Sequence, residues 1–249
     1  MSQPDPTILA FDTSAAHCAA ALLMGGRIVA ERYEEMKKGQ AERLFPMLDE
    51  VLGEVGAVWE ELDAIGVGTG PGNFTGTRIA VSAARGLALS LDVPAVGVNA
   101  FEALLGAHLL AEVGPFLVSL PSSRRGADVM VQRISKGVLV GAPVEGAIWG
   151  ETEGEPVDPG KLDRLHTVIG HEANALNFGL QNDFGLQNDE APADPRDFKD
   201  GAVTSIAVRI AEVAALRLGE CKPIARPSPL YIRPPDAAPP SDPPPVILS

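Results

Sequence analysis

Cysteine is nearly absent: Cys18 and Cys221 are the only two in 249 residues, and neither sits in a spacing that gathers metal ligands. That rules out a disulfide-stapled or zinc-clasped architecture, and two isolated thiols suit a reducing cytoplasm. No apolar run approaches the ~20 residues needed to span a bilayer, so no membrane role is expected. The opening M-S-Q-P-D-P has neither a basic nor an apolar signal region, so export is not expected either. Positive charge is scarce. Lys and Arg number 20 against 33 Asp and Glu, giving a net charge of −13 and a pI near 4.7. Such a surface opposes independent capture of nucleic acid, which clustered basic side chains drive; any RNA role would need a basic partner. What remains is 45% hydrophobic and 21% charged residues, the composition of a globular protein with a real core, in one large domain or two small ones.

The chain is organised around Gly66 to Leu91, G-V-G-T-G-P-G-N-F-T-G-T-R-I-A-V-S-A-A-R-G-L-A-L-S-L. A short apolar run enters a glycine-rich turn, Gly68 to Gly76, and an Ala-, Ile-, Val- and Leu-rich helical pattern follows from Thr75. Strand, glycine loop and helix together aim unpaired amides at an anion. Gly70, Gly72 and Gly76 permit close backbone approach, and Pro71 stiffens the turn. Taken alone, the loop fits a tight turn that binds nothing equally well. It is neither a P-loop nor a G-x-G-x-x-G fingerprint.

Before this stretch, Thr7 to Thr13, Ala19 to Met24 and Arg27 to Tyr33 read as strands of an antiparallel meander, with Gly25-Gly26 as a hairpin turn. Asp12, Thr13 and Ser14 lie at its first turn, where they suit a phosphate or hydrated metal; an Asx or Ser/Thr turn serving its own backbone is the simpler account. Glu42 to Val55 is an amphipathic helix with Leu44, Leu48, Val51 and Val55 at helical spacing and Phe45 and Leu52 widening the stripe. Pro46 is expected in or near its first turn, or else as a kink in the helix. The stripe is either core or, in part, a docking face. Val93 to Val98 reads as a strand and Phe101 to Leu110 as a helix. A weaker echo follows: strands at Phe116 to Leu120, Asp128 to Ile134, Val138 to Gly141 and His166 to Gly170, then a helix at Val203 to Leu218. This suggests a degraded duplication of the first half. F-G-L-Q-N-D occurs twice in tandem at 178–189, read as an extended surface loop, and nine of the 22 prolines fall from Pro227 onward, which predicts a mobile tail.

Asp12-Thr13-Ser14, the hairpin, the amphipathic helix, G-P-G-N-F-T-G-T-R-I and V-P-A-V-G-V-N-A-F-E-A-L-L occur here in that order. With them the chain closely resembles the TsaB family, also called YeaZ, from about Ile8 to Leu105; Leu230-Tyr231-Ile232-Arg233 resembles its closing motif. The resemblance implies an α/β, actin-like ATPase (ASKHA) fold of two related βββαβα subdomains, the second degraded. The division expected is 1–105 with the docking helices, 106–233, and a Pro-rich tail at 234–249. It also implies a non-catalytic scaffold subunit, cytoplasmic, that docks a TsaD-type catalytic subunit. With a TsaE-type ATPase and a TsaC-type enzyme, such a subunit supports threonylcarbamoylation of the adenosine beside the anticodon in certain tRNAs. Contact with tRNA would come only through the complex. The catalytic paralogue carries a metal-binding H-x-x-x-H after the fifth strand, and the positions that align with it hold Ala100 and Leu104, which bind no metal. His17, His108, His166 and His171 form no replacement pair.

The loop residues Asp12, Thr13, Ser14, Gly70, Gly72, Thr75 and Gly76 are therefore expected to be nucleotide-binding or vestigial phosphate loops. No catalytic or metal-binding residue is assigned, and no cofactor is expected to be tightly bound; ATP is placed, if anywhere, at the complex interface. The docking face is expected to combine Leu44, Phe45, Leu48, Val51 and Leu52 with Arg78, Ile79, Ser82 and Arg85 in a four-helix seam, with Phe45 and Arg78 as anchors. Leu48→Asp is then expected to abolish the complex and leave a folded monomer. Free of a partner, the same helices are expected to form a homodimer. A stand-alone ATP-binding or ATP-hydrolysing actin-like enzyme and, third, a peptidase remain as alternatives. Two departures from the family pattern stand out: Gln40 where His is common, and Asn73 where Ser is common.

Overall fold

The computed structural model describes residues 5–112, 114–122, 127, 129–146, 167–170, 205–220 and 222–232. The F-G-L-Q-N-D copies, His166, His171, Cys221, Arg233 and the 234–249 tail lie outside these residues. The meander forms as β1 (Ile8–Asp12), β2 (His17–Met24) and β3 (Arg27–Glu35), paired antiparallel. Gly25 and Gly26 turn the hairpin with φ of 58° and 71°, the positive angles that match a two-residue turn to strand twist. Then come α1 (Gln40–Val55), β4 (Ala64–Gly68), α2 (Phe74–Leu91), β5 (Ala95–Val98) and α3 (Ala100–Leu110). β4 and β5 add in parallel, so the first sheet runs β3-β2-β1-β4-β5.

The second half repeats this order. β6 (Phe116–Pro121), β7 (Val129–Ser135), β8 (Val138–Gly146) and β9 (Thr167–Gly170) form a sheet ordered β8-β7-β6-β9. The meander pairs antiparallel and β9 joins β6 in parallel, as β4 joins β1. Two sheets of one topology, the second a strand shorter among the described residues, make the duplicated, actin-like α/β architecture that the resemblance implies.

Side-chain alternation along β1 explains the layers. Leu9 and Phe11 point to the face covered by α1 and α2, and Ile8 and Ala10 to the opposite face; a strand buried on both sides reads as a continuous apolar run. The opposite face is covered by α4 (Ile206–Gly219), which packs across β1, β2, β4 and β5 and against α3. A helix that falls within 106–233 by sequence thus completes the core of the first sheet. Ile8, Val96 and Phe101 share one apolar cluster with Phe116, Ile134, Ile169 and Ile210.

The docking stripe expected on α1 is corrected by burial. Leu44 is 1% exposed, Leu48 and Val51 0% and Leu52 3%, all within the core cluster over β1, β2 and β4. Phe45, 45% exposed, is the one residue of that expected set on α1 that faces solvent. The helical period allowed both readings of the stripe, and an adjoining sheet decided between them. Pro46 also lies deeper than expected: α1 begins at Gln40, whose Nε2 donates to the Met36 carbonyl at 3.1 Å, so the proline sits in the second turn on an exposed surface. Leu48→Asp would strand a carboxylate in the core and is expected to cost more than about 4 kcal/mol, enough to unfold the chain. Phe45→Asp should cost less than about 1 kcal/mol. Chemical denaturation monitored by circular dichroism separates the two.

Candidate functional site

Strand β1 delivers Asp12, fully buried, to the end of the first sheet. Its Oδ1 accepts from Ser14 N and Ser14 Oγ, both at 2.9 Å, and lies 2.8 Å from His17 Nε2. Its Oδ2 is buried without a hydrogen-bond partner and rests against Gly68; a Cβ there would stand 1.8 Å from this oxygen. Ser14 Oγ and the His17 ring thus meet at one carboxylate oxygen. Nearby Cys18 is buried, which pushes its thiol up to about 11 and keeps it protonated near neutral pH.

The glycine loop closes over this turn. Asn73 N donates to the Ser14 carbonyl at 2.5 Å, and Thr13 Oγ1 donates to the Gly76 carbonyl at 2.7 Å. A Cβ on Gly72 would fall 2.1 Å from the Ser14 carbonyl oxygen, and one on Gly76 1.9 Å from that of Thr13. The close approach expected toward a phosphate is made here toward the neighbouring turn. Asn73 caps α2, its Oδ1 accepting from Thr75 N and Gly76 N, each at 3.0 Å. The amides expected to face an anion therefore have a partner inside the chain, and asparagine, at least as good a cap as serine, explains that departure from the family pattern. Gly70, with φ of 80°, turns the loop so that its carbonyl accepts from Ala100 N at 2.7 Å. Asp12, Thr13, Ser14, Gly70, Gly72, Thr75 and Gly76 are thus brought together, held mainly by one another. Among the described residues no three of His, Cys, Asp and Glu converge as metal ligands, and no helix is long and apolar enough to cross a membrane.

The expected interface residues on α2 divide. Ser82 and Arg78 face solvent, while Ile79 is half-buried against the core. Both arginines grip the chain's own C-terminal segment. Arg85 Nε donates to the Pro227 carbonyl at 2.8 Å, and Arg78 Nε donates to the Tyr231 hydroxyl at 2.8 Å. The Arg78 guanidinium lies 3.6 Å from the Phe74 ring centre, and the Phe74 and Tyr231 rings are 5.3 Å apart. Leu230 N donates to the Thr69 carbonyl at 2.8 Å. Sequence reasoning noticed Leu230-Tyr231-Ile232 as a motif but missed that it seats on α2, a contact made across 153 residues.

Also missed was the junction at α3. Asn99 and Glu102 form a reciprocal capping box, Glu102 N to Asn99 Oδ1 and Asn99 N to Glu102 Oε2, each at 3.0 Å. The other Glu102 oxygen accepts from Arg217 Nη2 of α4, and Arg217 Nη1 donates to the Gly97 carbonyl. The N-A-F-E signal was legible as a cap. Its arginine partner, more than a hundred residues away, carried none.

With this geometry in view, known proteins align as follows. Residues 28–148 match the family model described as TsaD, tRNA N6-adenosine threonylcarbamoyltransferase. The tRNA threonylcarbamoyladenosine biosynthesis protein TsaB of Haemophilus influenzae is 37% identical over 98 residues, 39% of this chain and 41% of that protein. Its namesake in Bacillus subtilis is 36% identical over 122 residues, 48% of this chain and 52% of that protein. The chain thus spans about half the length of these curated relatives or less. Over the whole fold, YeaZ from Pseudomonas aeruginosa superposes with a TM-score of 0.58 at 26% identity, covering 91% of this chain and 99% of that one.

Gly76→Ala would force the loop off the Thr13 carbonyl and is expected to destabilise by more than about 2 kcal/mol. Asn73→Ala should cost about 1 kcal/mol, and Asn73→Ser only a few tenths of that. Urea denaturation midpoints of the three variants check this order.

Proposed function

Since the chain belongs to the TsaB (YeaZ) family, we propose that it is a non-catalytic scaffold subunit of the machinery that makes threonylcarbamoyladenosine in tRNA, docking a TsaD-type catalytic subunit. The observation that carries this reading is the solvent face of two adjacent helices. On α2, Phe74, Arg78, Ser82, Gly86 and Leu89 recur at helical spacing and are all exposed, Leu89 by 85%. Beside it, α1 presents Phe45. Apolar side chains kept in water on a face with arginine and aromatic neighbours suit a protein contact. Ala100 and Leu104 carry no metal-binding atom where the catalytic paralogue has its histidines, which leaves the chemistry to the partner. The loop amides that would hold a phosphate are engaged by Asn73, which weighs against a self-sufficient ATPase.

In this reading a TsaE-type ATPase joins the assembled pair, and tRNA meets this acidic chain only through the complex. Without its partner, the same face supports a homodimer. Phe45→Asp and Leu89→Asp are each expected to weaken binding to a TsaD-type subunit at least about tenfold, a loss typical of hot-spot residues, with the fold intact. Isothermal titration calorimetry against the purified partner, alongside sedimentation of the free chain, makes the test. Wild-type affinity in both variants would remove this face from the docking model.

A further inference from the structure

The C-terminal segment from Lys222 to Ile232 leaves α4, which belongs to the first sheet's core, and returns across β5 to the start of α2. Three contacts seat it. Its backbone amide at Leu230 reaches the Thr69 carbonyl at 2.8 Å, where the glycine loop begins. Its carbonyl at Pro227 takes the Arg85 Nε, and Pro227 also packs against Gly97, where an added Cβ would lie 3.0 Å from the proline ring carbon. Its Tyr231 hydroxyl accepts from Arg78. The result at the surface is one cluster from two distant stretches: Phe74 at 40% exposure, Tyr231 at 42%, and the Arg78 guanidinium against both rings. Without the segment, Arg78 would lose its hydrogen-bond partner and one of two aromatic neighbours, and so its fixed direction.

We propose that Pro227–Tyr231 is a strap whose seating on α2 completes the docking surface, so that the TsaD-type subunit recognises a composite Phe74–Arg78–Tyr231 patch and not α2 alone. The patch continues the solvent face of α2 that the scaffold reading uses, and the proposal rests on that reading. An arginine stacked on the Phe74 ring and bonded to the Tyr231 hydroxyl gives up less side-chain freedom on binding than a free one, which is how a seated strap raises affinity without itself filling the contact. The strap also ties docking to the Gly70–Asn73 loop through Thr69, and so to the Asp12–Ser14 turn beneath.

The test pairs hydrogen–deuterium exchange on the free full-length chain with calorimetric affinity for a purified TsaD-type subunit. Leu230→Pro removes the amide that holds Thr69, Tyr231→Ala removes the ring and hydroxyl, and Arg78→Lys keeps the charge while removing the planar stack and the Nε donor. Each is expected to speed exchange in peptides covering residues 69–78, to leave a cooperative melt, and to lower affinity at least about tenfold. Unchanged exchange in Leu230→Pro and Tyr231→Ala would overturn the strap. Faster exchange with wild-type affinity in all three would overturn its role in docking and leave the scaffold reading standing. A wild-type chain with no affinity for the subunit would bring down the scaffold reading, and this inference with it. Should Leu230→Pro fail to fold, Tyr231→Ala and Arg78→Lys decide.

Discussion

Two carbonyl oxygens govern the end of the first sheet. Those of Thr13 and Ser14 occupy the space in which side chains at positions 76 and 72 would begin. The glycine loop can therefore lie backbone to backbone on the Asp12–Ser14 turn, and helix α2 starts where it does because the loop is pinned there. Asp12 extends the same economy one layer down, since its carboxylate fits only because Gly68 on the next strand has no side chain. The glycines thus serve contact between two loops, and asparagine at position 73 converts the first amides of α2 from an anion cradle into a closed cap.

From that pinned start, α2 does two things at once. Its inner face, with Ala80, Val81 and Ala84, belongs to the core over β4. Its outer face carries the C-terminal segment near one end and bare apolar side chains near the other. The second half of the chain reaches back twice to make this possible: α4 fills the far side of the first sheet, and Arg217 ties its last turn to Glu102 and to the β5 backbone. A buried carboxylate serving both a capping box and an arginine fixes how α3 meets α4, because removing the arginine would leave that carboxylate desolvated and unpaired.

In the scaffold reading proposed above, this division of labour matters more than a catalytic constellation. A docking helix has to present apolar groups to water without loosening its own packing. α1 shows how narrow the margin is: Phe45 faces out while Leu44, Leu48, Val51 and Leu52 are consumed by the core. The two neighbours Leu44 and Phe45 differ in fate because adjacent helical positions point about a quarter-turn or more apart.

Sequence alone determined much of this protein. The order of strands and helices, the Gly25-Gly26 hairpin, the glycine loop before α2 and the echo of the first half in the second all have local causes: periodicity and turn chemistry act within a few residues. Only tertiary structure decided which face of α1 is core, that Gly72 and Gly76 approach a neighbouring turn, that α4 serves the first sheet, and that Arg78 and Arg85 hold the closing motif. Each of these depends on partners tens to more than a hundred residues away. An amphipathic stripe or an exposed arginine has the same local sequence whether its partner is another part of the chain or another protein.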